Sequence, residues 1–404
     1  VERRTVITLA VLGGSLALAA ALFGRAPRAA ASNARVPTDP AEVLETLPGG
    51  AGDARMREVA SLRRALAASP RDLAAAIALA RLDIQLARER SDPRYLGHAQ
   101  AALAPWWSAP DAPADVLVLR ATIEQSLHDF DAALADLDRA LRLAPDNAQA
   151  WLTRSVVLTV RGRYDEARAS CAQLVPLAAN LVVAVCQTSI ESLTGNARGA
   201  FDALTREVAR APRLTRDEEA WARSSLAEYA VRAGDLDGAE LQFRRALELD
   251  PEDGYVRAAY ADLLLDRGRT AEAIALVRGR EWNDALLLRL AIAESRDRAA
   301  TAESHVEALA ARFEASRLRG DVVHRREEAR FRLELQGDAR RALDLAKENW
   351  DVQKEPWDAR IFLEAARAAN APAEAKPVLD FLAATKLEDP FLAKVAGDLR
   401  GRAP

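Results

Sequence analysis

The chain has 404 residues, a formal net charge of −4 and acidic and basic side chains interleaved along its length, so the counterion release that drives nucleic-acid binding has no evident source. Half of the residues are hydrophobic and 29% are charged, which excludes a disordered polymer and a chain buried in lipid throughout. Ala, Leu, Arg and Glu dominate. All are strong helix formers, and no convincing run of alternating β-branched residues follows the N-terminus, so the class is all-α.

Glu2, Arg3 and Arg4 precede an uncharged run from Thr5 to Phe23, followed by Arg25, Arg28 and Ala29-Ala30-Ala31-Ser32. A basic start, an apolar stretch and a small-residue site describe a secretory signal. The stretch is also just long enough to span a bilayer. Residues 1–31 are therefore expected to be a signal peptide cleaved after Ala31, or an N-terminal anchor attached to the membrane through residues 5–23. Either outcome places the remainder outside the cytoplasm, in the periplasm of a Gram-negative cell. Residues 32–54 carry Pro37, Pro40, Pro48, Gly49, Gly50 and Gly52 and read as a flexible tether.

Residues 55–113 predict degenerate helical repeats: helices over 55–68, 71–90 and 93–103, then Pro105-Trp106-Trp107-Ser108-Ala109-Pro110. The paired tryptophans read either as an exposed anchor for a partner or as a plug beneath a loop. From here the chain repeats itself. His128, Gly162, Gly195, Gly234 and Gly268 stand 34, 33, 39 and 34 residues apart, and Ala133, Ala167, Ala200, Ala239 and Ala273 follow five residues after each. Pro145, Pro212 and Pro251 fall 17 residues after His128, Gly195 and Gly234. Glycine ends a first helix in the left-handed conformation, the small alanine lets two helices approach, and proline stops the second. His128 breaks this rule and predicts a slightly strained turn or one of another type. Bulky Trp151 and Phe243 are expected to fill space between helices. Residues 213–219 are expected to hold the extra length of the longest interval as an extended turn.

These registers resemble the tetratricopeptide repeat family. Trp151, Gly162, Tyr164, Ala167 and Cys171 occupy its marked positions in one segment, and Leu226, Ala227, Gly234, Ala239, Phe243, Ala246 and Pro251 in another. The resemblance covers residues 114–279 and implies a right-handed superhelical solenoid of antiparallel helix pairs, whose first helices line a concave groove. By the family's register the groove positions are Gln149, Thr153, Thr159, Ser189, Trp221, Glu228, Arg232, Tyr255 and Asp262. That mixed surface suits a protein or peptide partner with charge and apolar anchors. Residues 280–404 predict further degenerate helical repeats, with Gly337 and Ala342 again five apart, and a C-terminal cap at 390–399.

Four histidines lack a partner at helical spacing, and no phosphate-cradling glycine motif or CxxC pair occurs, so neither metal, cofactor nor catalytic residue is expected. The function expected is a non-catalytic scaffold or adaptor of the cell envelope, with a structural subunit of an envelope assembly or secretion machine as the alternative and an enzyme with an unrecognised site behind both. Cys171 falls on the second helix of one repeat and Cys186 on the first helix of the next. They are equidistant from the turn around residues 176–180, so they sit level and a disulfide between them is expected.

Overall fold

The computed structural model describes residues 54–401 apart from residues 90–91, 212, 319 and 321–322. The export segment, most of the tether and Pro212 lie outside the described residues. The described residues form two compact units, 54–112 and 113–401, and contain no β-strand.

The first unit holds α1 (Ala54–Ala68), α2 (Leu73–Glu89), α3 (Arg94–Ala102) and a short α4 (Ala104–Trp107). The Asp72 carboxylate accepts from the Ala75 N–H at 3.0 Å at the start of α2. Pro105 sits in the first turn of α4, where its missing N–H costs nothing. Trp106 and Trp107 are both half-buried on this turn.

The second unit is eight helix pairs and a cap: α5 (Ala114–Ser126) with α6 (Phe130–Leu143), α7 (Ala148–Val160) with α8 (Tyr164–Ala172), α9 (Asn180–Ser192) with α10 (Ala197–Arg210), α11 (Arg216–Arg232) with α12 (Leu236–Leu249), α13 (Gly254–Asp266) with α14 (Thr270–Val277), α15 (Asp284–Asp297) with α16 (Ala302–Leu318), α17 (Arg325–Glu334) with α18 (Ala339–Val352), and α19 (Pro356–Ala368) with α20 (Lys376–Thr385), closed by α21 (Pro390–Arg400). Every turn inside a pair places one residue at positive φ: His128 (61°), Gly162 (72°), Gly195 (84°), Gly234 (77°), Gly268 (71°), Arg298 (55°), Gly337 (67°) and Asn370 (51°). His128 thus adopts the glycine conformation, with its ring stacked on Phe130 at 5.3 Å. The alanines five residues after the turn, Ala133 to Ala273 in the clear repeats and then Ala342 and Ala375, are fully buried. Asp129, Asp235 and Asp338 cap the second helix by accepting from the N–H three residues on, each worth about 1 kcal/mol.

The long interval does not become an extended turn. α11 starts at Arg216 and runs 17 residues, against 13 for α9, under a capping box between Thr215 and Glu218. In a helix the carbonyls of residues 216–219 find partners one turn on, and Thr215 takes the Glu218 and Glu219 N–H groups through its hydroxyl and its carbonyl. Cys171 and Cys186 are joined, with Cα atoms 5.8 Å apart, as level facing positions on α8 and α9 require. Phe243 is core, whereas Trp151 is half-buried because its indole N–H reaches out to the Pro145 carbonyl at 2.8 Å.

Candidate partner-binding groove

First and second helices of a pair have different surroundings. α6, α10, α12 and α18 bury one face and leave the other in solvent. The first helices are buried nearly all round; on α15 every residue from Ala285 to Glu294 is buried. Successive first helices also pack directly on one another, whereas second helices mainly meet first helices. The first helices therefore form the inner side of a curved stack, as the repeat register requires.

The expected groove residues divide into two sets on this inner side. Thr153, Trp221 and Asp262 are buried, and as exposed groove contacts they are corrected to interior positions. For Asp262 the reason is that the stack curls until first helices two or three repeats apart touch. Asp262 accepts from Arg289 (2.7 Å) and from Arg330 of α17 (2.6 Å), and Arg360 of α19 forks onto Asp266 at 2.6 and 2.7 Å. Burial pushes the Asp262 carboxyl upward, but Arg289 and Arg330 outweigh it and hold the group below the usual carboxylate range. Trp357 is sandwiched by the Arg330 and Arg360 guanidinium groups, at 4.5 and 4.4 Å from its ring centre.

Gln149, Thr159, Ser189, Glu228, Arg232 and Tyr255 remain partly exposed. The structure brings four of them into one polar chain. Tyr255 donates to Glu228, Glu228 accepts from Arg232 at 2.8 Å, and Arg232 donates onward to the Ser192 hydroxyl at 2.8 Å. Ser189 of α9 joins because its carbonyl accepts from the Ser192 hydroxyl at 2.8 Å, while its own hydroxyl pairs with that of Tyr229 at 2.7 Å. Gln149 donates to Thr153 at 3.1 Å, and Thr159 donates to its own helix at the Ser155 carbonyl, 2.8 Å away, so these two stand apart from the chain. Burial raises the Tyr255 hydroxyl well above its ordinary value, and neighbouring Glu228 adds to it, so the group stays a donor.

The C-terminal turns close over this side. The Lys354 N–H donates to the Val160 carbonyl (2.8 Å), Arg161 donates to the Val352 carbonyl (3.1 Å), and the Glu388 carboxylate accepts from the Ala197 N–H (2.8 Å) at the start of α10. The Phe381 ring lies 6.1 Å from the Tyr164 ring. These residues were absent from the register reading, which sees only neighbouring repeats. Buried polar atoms without a hydrogen-bond partner include the Gln149 carbonyl oxygen, the Tyr164 hydroxyl, the Trp221 indole nitrogen, the Arg257 Nε and the Gln353 carbonyl oxygen. Leaving such a group unpaired costs about 1–3 kcal/mol.

On the outer side, a hollow of about 430 Å³ lies between α6, α7 and α8, lined by Leu141, Arg142, Trp151 and Gln173 among others. The large apolar side chains left exposed include Leu143, Val175, Leu241 and Leu318, all on or just beyond second helices. Among the described residues no helix is long and apolar enough to cross a membrane, and no three His, Cys, Asp or Glu side chains converge as a metal site.

Residues 118–182 and residues 230–285 each match a family model described as tetratricopeptide repeat. Those segments coincide with paired helices and left-handed turns at the repeat's spacing. The chain carries tetratricopeptide repeats. A 212-residue stretch of this repeat protein is 32% identical to the cellulose synthase 2 operon protein C of Komagataeibacter xylinus, taking in 50% of the chain and 16% of that protein's length. Among solved structures, it is similar to the APC/C hetero-tetramer Cut9–Hcn1 (13% identity, 86% of this chain and 87% of that one, TM-score 0.40). It is also similar to a tetratricopeptide repeat protein of Parabacteroides merdae (14% identity, 76% of this chain and 99% of that one, TM-score 0.37).

Proposed function

We propose that this tetratricopeptide repeat protein is a non-catalytic protein-binding scaffold of the cell envelope, and that it takes a segment of a partner along its inner side. The observation that carries the reading is the set of inner polar groups. The Tyr255–Glu228–Arg232 chain is partly exposed and presents a hydroxyl, a carboxylate and a guanidinium group together. The Glu228 carboxylate can accept from the peptide N–H groups of a bound segment, and Arg232 can donate to its C=O groups.

The envelope location rests on the basic and apolar N-terminal sequence and on the Cys171–Cys186 bridge, which persists in an oxidising compartment. Whether the N-terminal segment is cleaved or retained as an anchor is decided by N-terminal sequencing of the mature protein. The similarity to a cellulose synthase operon protein directs the search for partners to envelope assemblies that make polysaccharide.

A second reading is favoured by the outer hollow and the exposed apolar residues of the second helices: broad lateral docking as a structural subunit. Crosslinking pull-downs from envelope membranes, with two variants of the full chain, separate the two readings. Arg232→Ala with Tyr255→Phe alters the inner side, and Leu143→Asp with Leu241→Asp alters the outer side. Trp221 is left intact because it is core. Capture lost only in the inner variant supports the groove; capture lost only in the outer variant transfers the function to the second helices. Undiminished capture in both removes the two surfaces from consideration.

A further inference from the structure

The closing contacts join residues nearly two hundred positions apart, yet they are few and lie at turn edges. On one side are the turns at Gly162 and Gly195, inside the α7–α8 and α9–α10 pairs. On the other are the turn between α18 and α19 and the turn between α20 and α21. A Cβ at Gly162 would stand 3.0 Å from the Phe381 ring, and a Cβ at Gly195 would stand 2.9 Å from the Lys386 Cβ and 3.1 Å from its carbonyl oxygen. The equivalent turns at Gly234 and Gly268 have the same left-handed backbone and nothing within 4 Å of such a Cβ. Both seats of the closure stand on the part of the stack that the disulfide holds in register, since α8 follows the first turn and α9 precedes the second.

Closure also leaves polar atoms unpaired where the two edges meet. The Tyr164 hydroxyl, beside Phe381, and the Gln353 carbonyl oxygen, next to the Lys354 contact, are buried with no hydrogen-bond partner. A contact made of isolated hydrogen bonds and one ring pair, with buried polar atoms stranded beside it, belongs to the low-stability end of a structure.

We propose that these turns are a releasable latch: the C-terminal turns at residues 352–355 and 386–388 seat on the Gly162 and Gly195 turns, and their release widens access to the partly exposed Glu228–Arg232–Tyr255 chain for a partner. The latch rests on the reading of the inner side as the partner surface, and it adds the regulation of that surface. Nothing in the latch breaks a covalent bond. Opening exchanges the Lys354–Val160, Arg161–Val352 and Ala197–Glu388 hydrogen bonds for hydrogen bonds to water and to the partner.

The test wedges the latch in the full-length, disulfide-bonded chain. Asparagine tolerates the left-handed conformation, so Gly162→Asn with Gly195→Asn intrudes on the C-terminal turns while each pair keeps its own turn. Gly234→Asn with Gly268→Asn is the matched control at turns that face nothing. Hydrogen exchange is read on peptides covering residues 350–358 and 384–390, together with the radius of gyration in solution. The wedged protein is expected to exchange about tenfold faster at those peptides and to expand, with the same thermal midpoint as the control. Unchanged exchange and radius would overturn the latch, because the seats would then not be in contact. Global loss of protection would overturn it too, because closure would then be part of the folding core. If the wedged chain fails to fold, Glu388→Ala removes only the carboxylate that caps α10, and local acceleration at Ala197 is the expected result against no change. No partner enters these readouts, so a failed latch leaves the pull-down reading standing, whereas a failed pull-down removes the surface that the latch would regulate and leaves only the turn contact.

Discussion

At the scale of single residues, the turns carry both the repeat and its exceptions. Arg298 holds a left-handed backbone at φ 55° in the turn between α15 and α16, exposed to solvent. A Cβ in that conformation costs roughly 1 kcal/mol relative to glycine, part of which glycine returns through its freer unfolded chain. Arg298→Gly is therefore expected to stabilise the protein by about 0.5 kcal/mol, read as a raised midpoint in urea. His128 offers a pH dependence. Burial first, and Arg326 second, lower its pKa from 6.5 to about 4, with Glu327 and Glu355 opposing and His324 adding to the depression. The folded protein thus holds the ring neutral while the unfolded chain protonates it, so stability falls as pH drops from 6.5 towards 4. Asp358, raised to about 6 chiefly by burial against Arg326, has the opposite sign: its protonation favours the fold as pH falls from 6 towards 4. His128→Asn keeps a residue that accepts the left-handed turn and removes only the histidine's share. Chemical denaturation at pH 7, 5 and 4 should show the wild type losing about 1–2 kcal/mol more than the variant across that range. Parallel losses would show that His128 carries no part of that pH dependence.

At the scale of helices, the second helices were legible and the first helices were not. The glycine-to-alanine spacing marks where each second helix begins, and its one-sided burial gives a strong period, as α10 and α12 show. α11, α13 and α15 are apolar or satisfied on nearly every side, so no sequence period tells an inner face from a core face. That is why Trp221 and Asp262 read as groove lining and proved to be interior. The pair of α15 and α16 escaped the register for a local reason. Its turn residue is arginine, and exposed Glu303 stands where the other pairs place a buried alanine. The disulfide was legible because Cys171 and Cys186 are level about one turn, a purely local relation. Closing that 15-residue loop contributes about 3 kcal/mol in the chain-entropy model. Cys171→Ser with Cys186→Ser is expected to lose that amount in urea denaturation, with the local exchange of α8 and α9 rising most. Non-reducing peptide mapping that finds two free thiols in the protein would leave the pair a packing role alone.

At the scale of the 113–401 unit, the closure changes how stability is shared. In an open solenoid each repeat feels only its neighbours, so a disturbance at one end decays along the stack. Here the C-terminal turns touch the second and third pairs directly through Lys354–Val160 and Glu388–Ala197, contacts that no pattern of nearby residues announces. A disturbance in the cap should therefore reappear near the N-terminal end while sparing the middle. Leu399 is buried in the core that α21 shares with α19, and Leu399→Ala should cost about 2–4 kcal/mol as a cavity. Exchange is expected to accelerate at α20 and α21, then at the amides of residues 160–164 and 195–198, while α12 to α14 keep their wild-type protection. The order distinguishes two mechanisms. Acceleration that spreads from α21 through α18, α16 and α14 before reaching α8 is the signature of neighbour-to-neighbour coupling, and it would show that the closing contacts carry no energy. Acceleration that jumps from α21 to α8 and α10 requires those contacts to transmit it, because the intervening helices, still protected, cannot.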